Sequence, residues 1–217
     1  MYQAALFDLD GTIADSLESL SYVTNKVLEE CGLKQLETQC FRYFAGDGAK
    51  TLVERALKEA GDPELKKLET AFIKYEQYFA KDCNYKVKTF DGMPEVLRKM
   101  KEKGIKLGVV TNKAQKNAEL VVEELYGKDL FDVIVGCTSE RPRKPDPAEA
   151  VYAMECLNVK PEETIYIGDT NVDMKTGNGA GCDTVGVLWG FRTREELEDN
   201  HAKIIIEKVE QLLELLD

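Results

Sequence analysis

The chain has 217 residues, of which 43% are hydrophobic and 32% are charged, and its formal net charge is −11. This composition is typical of a soluble globular protein with one large domain or one domain carrying an insertion. The acidic balance lacks the basic footprint of a nucleic-acid-binding protein, and no apolar run is long enough to span a membrane.

The histidine and cysteine residues limit which catalytic mechanisms and metal sites are possible. His201 is the only histidine, so a Ser-His-Asp or Cys-His mechanism is excluded unless that residue serves, and its polar neighbours are typical of a solvated surface. The six cysteines show no CxxC spacing, which argues against a thiolate zinc site. Because no signal-peptide pattern is present, we expect reduced thiols and a cytoplasmic protein.

The first predicted element is a short buried strand over residues 4–8, which ends in two acids, Asp8 and Asp10, followed by Gly11 and Thr12. Alternate strand residues point the same way, so the two carboxylates should converge at the carboxyl end, where open α/β sheets bind ligands. Gly11 permits a sharp turn. Two close carboxylates favour a metal or a shared proton, although the segment alone also fits an ordinary Asp-Gly turn.

A block of helices follows, with no strand pattern between residues 16 and 80. Asp15 and Glu18 have the spacing of a capping box, and apolar residues at helical spacing lead to a stop at Gly32. Further helices are predicted over residues 38–44, 49–60 and 63–80. Because the chain leaves the first strand near residue 15 and returns near residue 85, we expect residues 16–85 to form an inserted helical cap domain.

Strands and helices alternate through the rest of the chain. Strands are predicted over residues 107–110, 133–135, 164–167, 184–187 and 203–206, and helices over 94–103, 115–125, 147–157, 173–180 and from about 208. Pro147 is predicted at the favoured first position of its helix. The alternation predicts an α/β fold, a doubly wound parallel sheet of Rossmann type with right-handed crossovers, formed by residues 1–15 and 86–217.

Reactive side chains follow four of these strands. They are Asp8 and Asp10, Thr111 and Asn112, Lys144, and Asp169 with Asp173. Each has an ordinary alternative as a helix N-cap, a turn, a first-turn acid or a solvated lysine. In a doubly wound sheet, however, these strand ends line one rim and can meet. Acids, a hydroxyl and a lysine together fit phosphoryl transfer with a metal, and hard oxygen ligands favour Mg²⁺.

In this order, the motifs resemble those of the haloacid dehalogenase (HAD) superfamily of hydrolases. The resemblance is carried by residues 8–12, Thr111, Lys144, and residues 168–169 with Asp173, and the helical insertion is similar to that family's cap. Residues 44–49, 109–113 and 189–192 are most similar to the phosphoglycolate phosphatase group. Asp47 and residues 90–92 differ from that group's pattern. These differences bear on the identity of the substrate and not on the phosphoryl-transfer chemistry.

The resemblance implies roles for the reacting groups. Asp8 is expected to be the nucleophile that forms an aspartyl-phosphate, and Asp10 is expected to protonate the leaving oxygen and then deprotonate water. Thr111 and the N–H of Asn112 are expected to bind phosphate oxygens. Lys144 is expected to balance the charge of Asp8 and of the phosphoryl group.

The cofactor that the resemblance implies is Mg²⁺. Asp8, the backbone carbonyl of Asp10 and Asp169 are expected to hold the ion. Asp173 is expected to orient Lys144 or a metal-bound water without binding the metal itself.

A small phosphorylated metabolite is the implied substrate, with 2-phosphoglycolate as the first candidate. In the cap, Gly46 and Gly48 offer backbone N–H groups, although they equally fit a turn between helices. Candidates for binding a substrate carboxylate are Lys50, Arg55, Lys113 and Arg192, each of which also fits a surface charge. Neither a nucleic acid nor a membrane is expected as a partner.

Four alternatives remain open from the sequence. A sugar phosphomutase or a pyrophosphatase of the same superfamily would use the same nucleophile with another acceptor or substrate. A receiver-like signalling domain also clusters acids, Thr and Lys, but it places the phosphorylated Asp on a middle strand and lacks a cap. A silent binding protein would normally have lost one of the acids, and all are present.

Overall fold

Buried apolar strands alternate with helices along the chain in the computed structural model of the protein, which describes residues 2–216. The strands are β1 (Ala4–Phe7), β2 (Ala14–Asp15), β3 (Lys88–Thr89), β4 (Lys106–Ala114), β5 (Val133–Cys137), β6 (Thr164–Gly168), β7 (Asp183–Val187) and β8 (Ile204–Ile206). The helices are α1 (Leu17–Glu30), α2 (Phe41–Phe44), α3 (Ala49–Ala60), α4 (Leu68–Asp82), α5 (Met93–Glu102), α6 (Gln115–Tyr126), α7 (Ala148–Leu157), α8 (Asn171–Gly179), α9 (Arg194–Asp199) and α10 (Gln211–Glu214). Single 3₁₀ turns lie at Thr38–Cys40 and Pro161–Glu163.

Six strands form one parallel sheet in the order β5-β4-β1-β6-β7-β8. The chain builds outward from β1 through β4 to β5, and then returns to the other side of β1 to add β6, β7 and β8. The strand order therefore reverses at β1, and such a switch point is where α/β sheets bind ligands. The predicted α/β fold with a doubly wound parallel sheet is confirmed.

The centre of the sheet is covered on both faces. All four residues of β1 and all five of β6 are buried, which explains the apolar runs at residues 4–7 and 165–167. Helix α7 contributes Ala153 and Met154 to a core cluster with Leu6, Val135 and Tyr166. The strand ends that follow these buried segments are consequently held by a close-packed interior.

The chain divides into two compact units. One contains the described residues up to Asp15 and from Thr89 onward, and the other is Ser16–Lys88. The second unit consists of α1 to α4, and its interior includes Leu52, Tyr75 and Phe79. No helix among residues 2–216 combines the length and the apolar character that crossing a bilayer requires.

Two helix starts in the second unit differ from the prediction. Ser16, not Asp15, is the N-cap residue of α1, and no side-chain capping bond forms, because Asp15 belongs to the extended strand β2. Helix α4 begins at Leu68 rather than at residue 63. The carboxylate of Asp62 accepts the backbone N–H groups of Lys66 and Lys67 at 3.1 and 2.8 Å, so these residues form a separate turn.

The core unit also departs from the predicted boundaries. Strand β4 continues to Ala114, four residues beyond the predicted Val110. Pro147 is the N-cap residue of α7 and not its first helical residue, and α8 begins at Asn171 instead of Asp173. Helix α9 was not predicted, although its N-cap Thr193 accepts from the N–H of Glu196 at 3.4 Å, a recognisable Thr-x-x-Glu spacing.

Candidate active site

The parallel register brings two acids to the same edge of the sheet. Phe7 of β1 lies beside Ile167 of β6, and the backbone N–H of Asp8 donates to the carbonyl of Ile167 at 2.9 Å. Asp8 follows β1 directly, and Asp169 follows β6 directly. Both side chains therefore leave the carboxyl ends of central strands, where the strand order reverses.

Three buried carboxylates converge at this edge. Oxygen atoms of Asp8, Asp169 and Asp173 all lie within 4.8 Å of one another. Burial, followed by the charge of Asp173, raises the pKa of Asp8 to about 7, although Lys144 opposes the shift. Burial and the charges of Asp173 and Asp8 hold the pKa of Asp169 well above its usual range. The cluster thus has the oxygen donors and the excess negative charge that suit a hard cation.

Lys144 places its ammonium between two of these acids. Its Nζ lies 2.9 Å from Asp8 Oδ1 and 2.8 Å from Asp173 Oδ1, and it donates to the carbonyl of Val110 at 3.0 Å. The side chain is 1% exposed. Burial acts to lower the pKa of Lys144, but the charges of Asp173 and Asp8 outweigh it and hold the pKa well above its usual range. The lysine therefore remains charged in the buried site.

Asp169 is fixed by donors from two distant segments. Thr12 Oγ1 donates to Oδ1 at 2.8 Å, and the backbone N–H of Phe191 donates to Oδ2 at 2.7 Å. A Cβ atom on Gly190 would lie 2.2 Å from the Cβ of Asp169, so only glycine fits at this position without displacing Asp169. In the sequence, residues 189–192 contributed to the family resemblance, but their contact with Asp169 was not predicted.

Asp173 is held in the first turn of α8. Its Oδ2 accepts from the backbone N–H and the hydroxyl of Thr170 at 3.0 and 2.7 Å, while Oδ1 accepts from Lys144. Thr170 is the N-cap residue of this helix, and the two residues form a reciprocal capping box. The Thr-x-x-Asp spacing in the sequence was a signal for this arrangement. Asp173 is consequently positioned to orient Lys144.

Asp10 does not join the carboxylate cluster. Its two oxygens accept from Lys113 Nζ at 2.7 and 2.8 Å. Thr111, also on β4, is buried and accepts the backbone N–H of Lys113 at 3.3 Å, and Asn112 Nδ2 donates to the carbonyl of Lys144 at 3.1 Å. From the sequence, Lys113 was predicted only as a candidate partner for a substrate carboxylate, and its pairing with Asp10 was not predicted.

The remaining predicted residues belong to both units of the chain. In the helical unit, Gly46 and Gly48 adopt φ angles of 107° and 87° in the turn before α3, and Lys50 is exposed. Arg55 donates to the carbonyls of Tyr43 and Phe44 at 3.3 and 3.1 Å and pairs with Asp47 at 2.6 Å, so it braces its own turn. In the core unit, Arg192 pairs with Glu196 at 3.2 Å.

Comparison with known proteins agrees with this geometry. The family model described as haloacid dehalogenase-like hydrolase matches residues 5–187. A phosphoglycolate phosphatase from Mannheimia succiniciproducens is 32% identical and covers 97% of this chain and 96% of its own length. An N-acetylmuramic acid 6-phosphate phosphatase from Pseudomonas putida is 28% identical, with 99% and 96% covered.

A solved structure of a predicted phosphatase from Clostridium acetobutylicum shares 28% identity and a TM-score of 0.87, and covers 100% of this chain and 98% of its own. The resemblance that the sequence motifs carry is therefore confirmed over most of the chain. With its parallel sheet, its strand-end acids and the family match across residues 5–187, the chain belongs to the haloacid dehalogenase-like hydrolase family.

Proposed function

We propose that this phosphoric monoester hydrolase cleaves a small phosphate monoester through an aspartyl-phosphate on Asp8, with Mg²⁺ as cofactor and 2-phosphoglycolate as the first candidate substrate. The observation that carries the proposal is the position of Lys144 Nζ, 2.9 Å from Asp8 Oδ1 inside a buried cluster of acids. A buried ammonium there can balance the charges of both the nucleophile and a bound phosphoryl group.

The two half-reactions balance with the residues present. An oxygen of Asp8 attacks phosphorus and the bond to the leaving oxygen breaks. Asp10, which must carry a proton at the start of this step, donates it to the leaving alkoxide and becomes a carboxylate. A water then attacks the phosphoryl group while Asp10 takes its proton, the bond to Asp8 breaks, and inorganic phosphate leaves. Thr111 and the N–H of Asn112 would bind phosphate oxygens throughout.

The donor set fits the implied metal. Asp8, Asp169 and the backbone carbonyl of Asp10 would hold Mg²⁺, which supplies positive charge against the carboxylates and the phosphoryl oxygens. Asp173 already accepts bonds from Lys144 and Thr170, which supports its role as an orienting group rather than a ligand. The helical unit Ser16–Lys88 would act as the cap that selects the substrate, with Gly46, Gly48, Lys50 and Arg55 as its candidate residues.

The substrate is tested by comparing kcat/KM values. The panel contains 2-phosphoglycolate, N-acetylmuramic acid 6-phosphate, glucose phosphates, pyrophosphate and nucleoside monophosphates, assayed with Mg²⁺. We expect 2-phosphoglycolate to lead. A competitor that exceeds it about tenfold, equivalent to about 1.4 kcal/mol of transition-state preference, would replace it as the substrate.

The covalent role of Asp8 is tested in the same assay. The variant Asp8→Asn keeps the shape of the side chain but cannot form the acyl phosphate, so we expect its rate to fall by more than about a hundredfold. Retention of a higher rate would refute the aspartyl-phosphate.

A further inference from the structure

Lys113 and Asp10 form a nearly buried, two-point ion pair. Nζ of Lys113 lies 2.7 Å from Oδ1 and 2.8 Å from Oδ2 of Asp10, and the side chains are 3% and 18% exposed. A contact to both oxygens fixes the plane of the carboxylate as well as its position. Each oxygen still has a lone pair available for a proton or for a water.

The backbone of β4 is shaped to present this lysine. Val110 pairs with Val135, and Ala114 pairs with Cys137, so three residues of β4 lie between these two pairs where β5 has only one. Such a bulge re-aims the side chains of the longer strand. The segment is also closely packed, because a Cβ atom on Gly136 would lie 2.9 Å from the carbonyl oxygen of Lys113. The direction of the lysine is therefore set by the sheet.

We infer that Lys113 is a positioning residue for Asp10, an inference that rests on the proposed function. Lys113 holds the carboxylate in the one orientation from which it can reach both the leaving oxygen and the attacking water. The second half-reaction depends on this orientation most, because water must be deprotonated whatever the substrate. A leaving group that departs easily without a proton needs Asp10 less in the first half-reaction.

The experiment uses p-nitrophenyl phosphate, whose leaving group departs easily, and the full-length variants Lys113→Met, Lys113→Arg and Lys116→Met. Lys116 is an exposed residue of α6 and serves as the matched control. In Lys113→Met we expect kcat to fall about tenfold to a hundredfold, as for a displaced catalytic group. A burst of p-nitrophenolate equal to the enzyme concentration should precede slow turnover, and intact-mass spectrometry should detect the phosphoenzyme.

Lys113→Arg keeps the charge and should recover part of kcat and lose the burst, whereas Lys116→Met should match the wild type. If Lys113→Met merely reduced the amount of folded enzyme, the burst and the steady rate would fall together. The size of the burst, measured by active-site titration, therefore distinguishes misfolding from a slow second half-reaction. An unchanged kcat without a burst, or a raised KM confined to carboxylate-bearing substrates, would overturn the positioning role. If the wild type itself turns over no phosphate ester, the proposed function fails as well.

Discussion

Lys144 Nζ and Asp173 Oδ1 lie 2.8 Å apart although the two residues belong to different segments, a loop after β5 and the first turn of α8. The same ammonium lies 2.9 Å from Asp8 at the end of β1. One buried lysine thus joins the nucleophile candidate at the end of β1 to the first turn of α8, the helix that follows β6. Because all three side chains are buried, each depends on the others for charge balance.

Replacing Lys144 with Met should therefore reduce stability as well as activity. We expect the free energy of unfolding to fall by about 3–5 kcal/mol, because Asp8 and Asp173 lose a buried partner. The loss should be larger at high pH than at low pH, since removing Lys144 removes the charge that opposes the raised pKa of Asp8. Urea unfolding at two pH values measures it, and Lys175→Met, an exposed lysine on α8, is the control. Equal losses in both variants would contradict the pairing.

Removal of the metal should silence the enzyme. We expect excess EDTA to abolish phosphate release and Mg²⁺ to restore it, with Zn²⁺ a poor substitute at an all-oxygen site. Mg²⁺ should also raise the Tm of the wild type, because an ion that binds the folded cluster and not the unfolded chain stabilises the folded state. Asp169→Asn should lose most of that Tm shift. Full activity in EDTA would rule out the metal.

Gly190 is expected to be intolerant of any side chain. The change Gly190→Ala adds a Cβ atom at 2.2 Å from the Cβ of Asp169, so Asp169 or the N–H of Phe191 must move. We expect at least a tenfold loss of kcat and weaker Mg²⁺ binding by titration calorimetry. Gly179→Ala is the control, because its Cβ would meet Pro147 at an ordinary 3.5 Å. Similar kinetics for the two variants would disprove the close approach.

Glu149 should make stability fall as pH rises. The residue is fully buried, and neither carboxylate oxygen accepts a hydrogen bond from the described residues. Burial raises its pKa from 4.5 to about 7, although Lys144 and Arg141 oppose the shift. Between pH 4.5 and about pH 7, the folded state therefore binds more protons than the unfolded state. The stabilisation that comes from protonation of Glu149 is complete below the unfolded pKa, and it is lost as the pH rises through about 7.

The variant Glu149→Gln tests this pH dependence, since an amide does not titrate. Between about pH 5 and about pH 8, the wild type should lose about 1–3 kcal/mol more stability than the variant does. Glu155→Gln, at an exposed position of the same helix, should keep the wild-type slope. Identical slopes for wild type and Glu149→Gln would show that Glu149 does not titrate in this range.

The sequence alone determined the fold class and the chemical character of the sheet edge. Apolar runs such as residues 4–7 and 165–167 indicated strands buried on both faces, and their alternation with helices favours a parallel sheet. Because the carboxyl ends of parallel strands meet at one edge, acids that directly follow two strands had to come close. Asp8 and Asp169 were therefore identifiable without coordinates.

Only the tertiary structure decided which groups pair within that edge. Asp10 is two residues from Asp8, yet it binds Lys113, and Asp173 instead joins the acid cluster. These pairings depend on the register shift in β4 and on the packing of α8, which join residues far apart in sequence. A local pattern states where a strand ends, but the partner of a buried charge is set by whichever distant segment the packed core brings beside it.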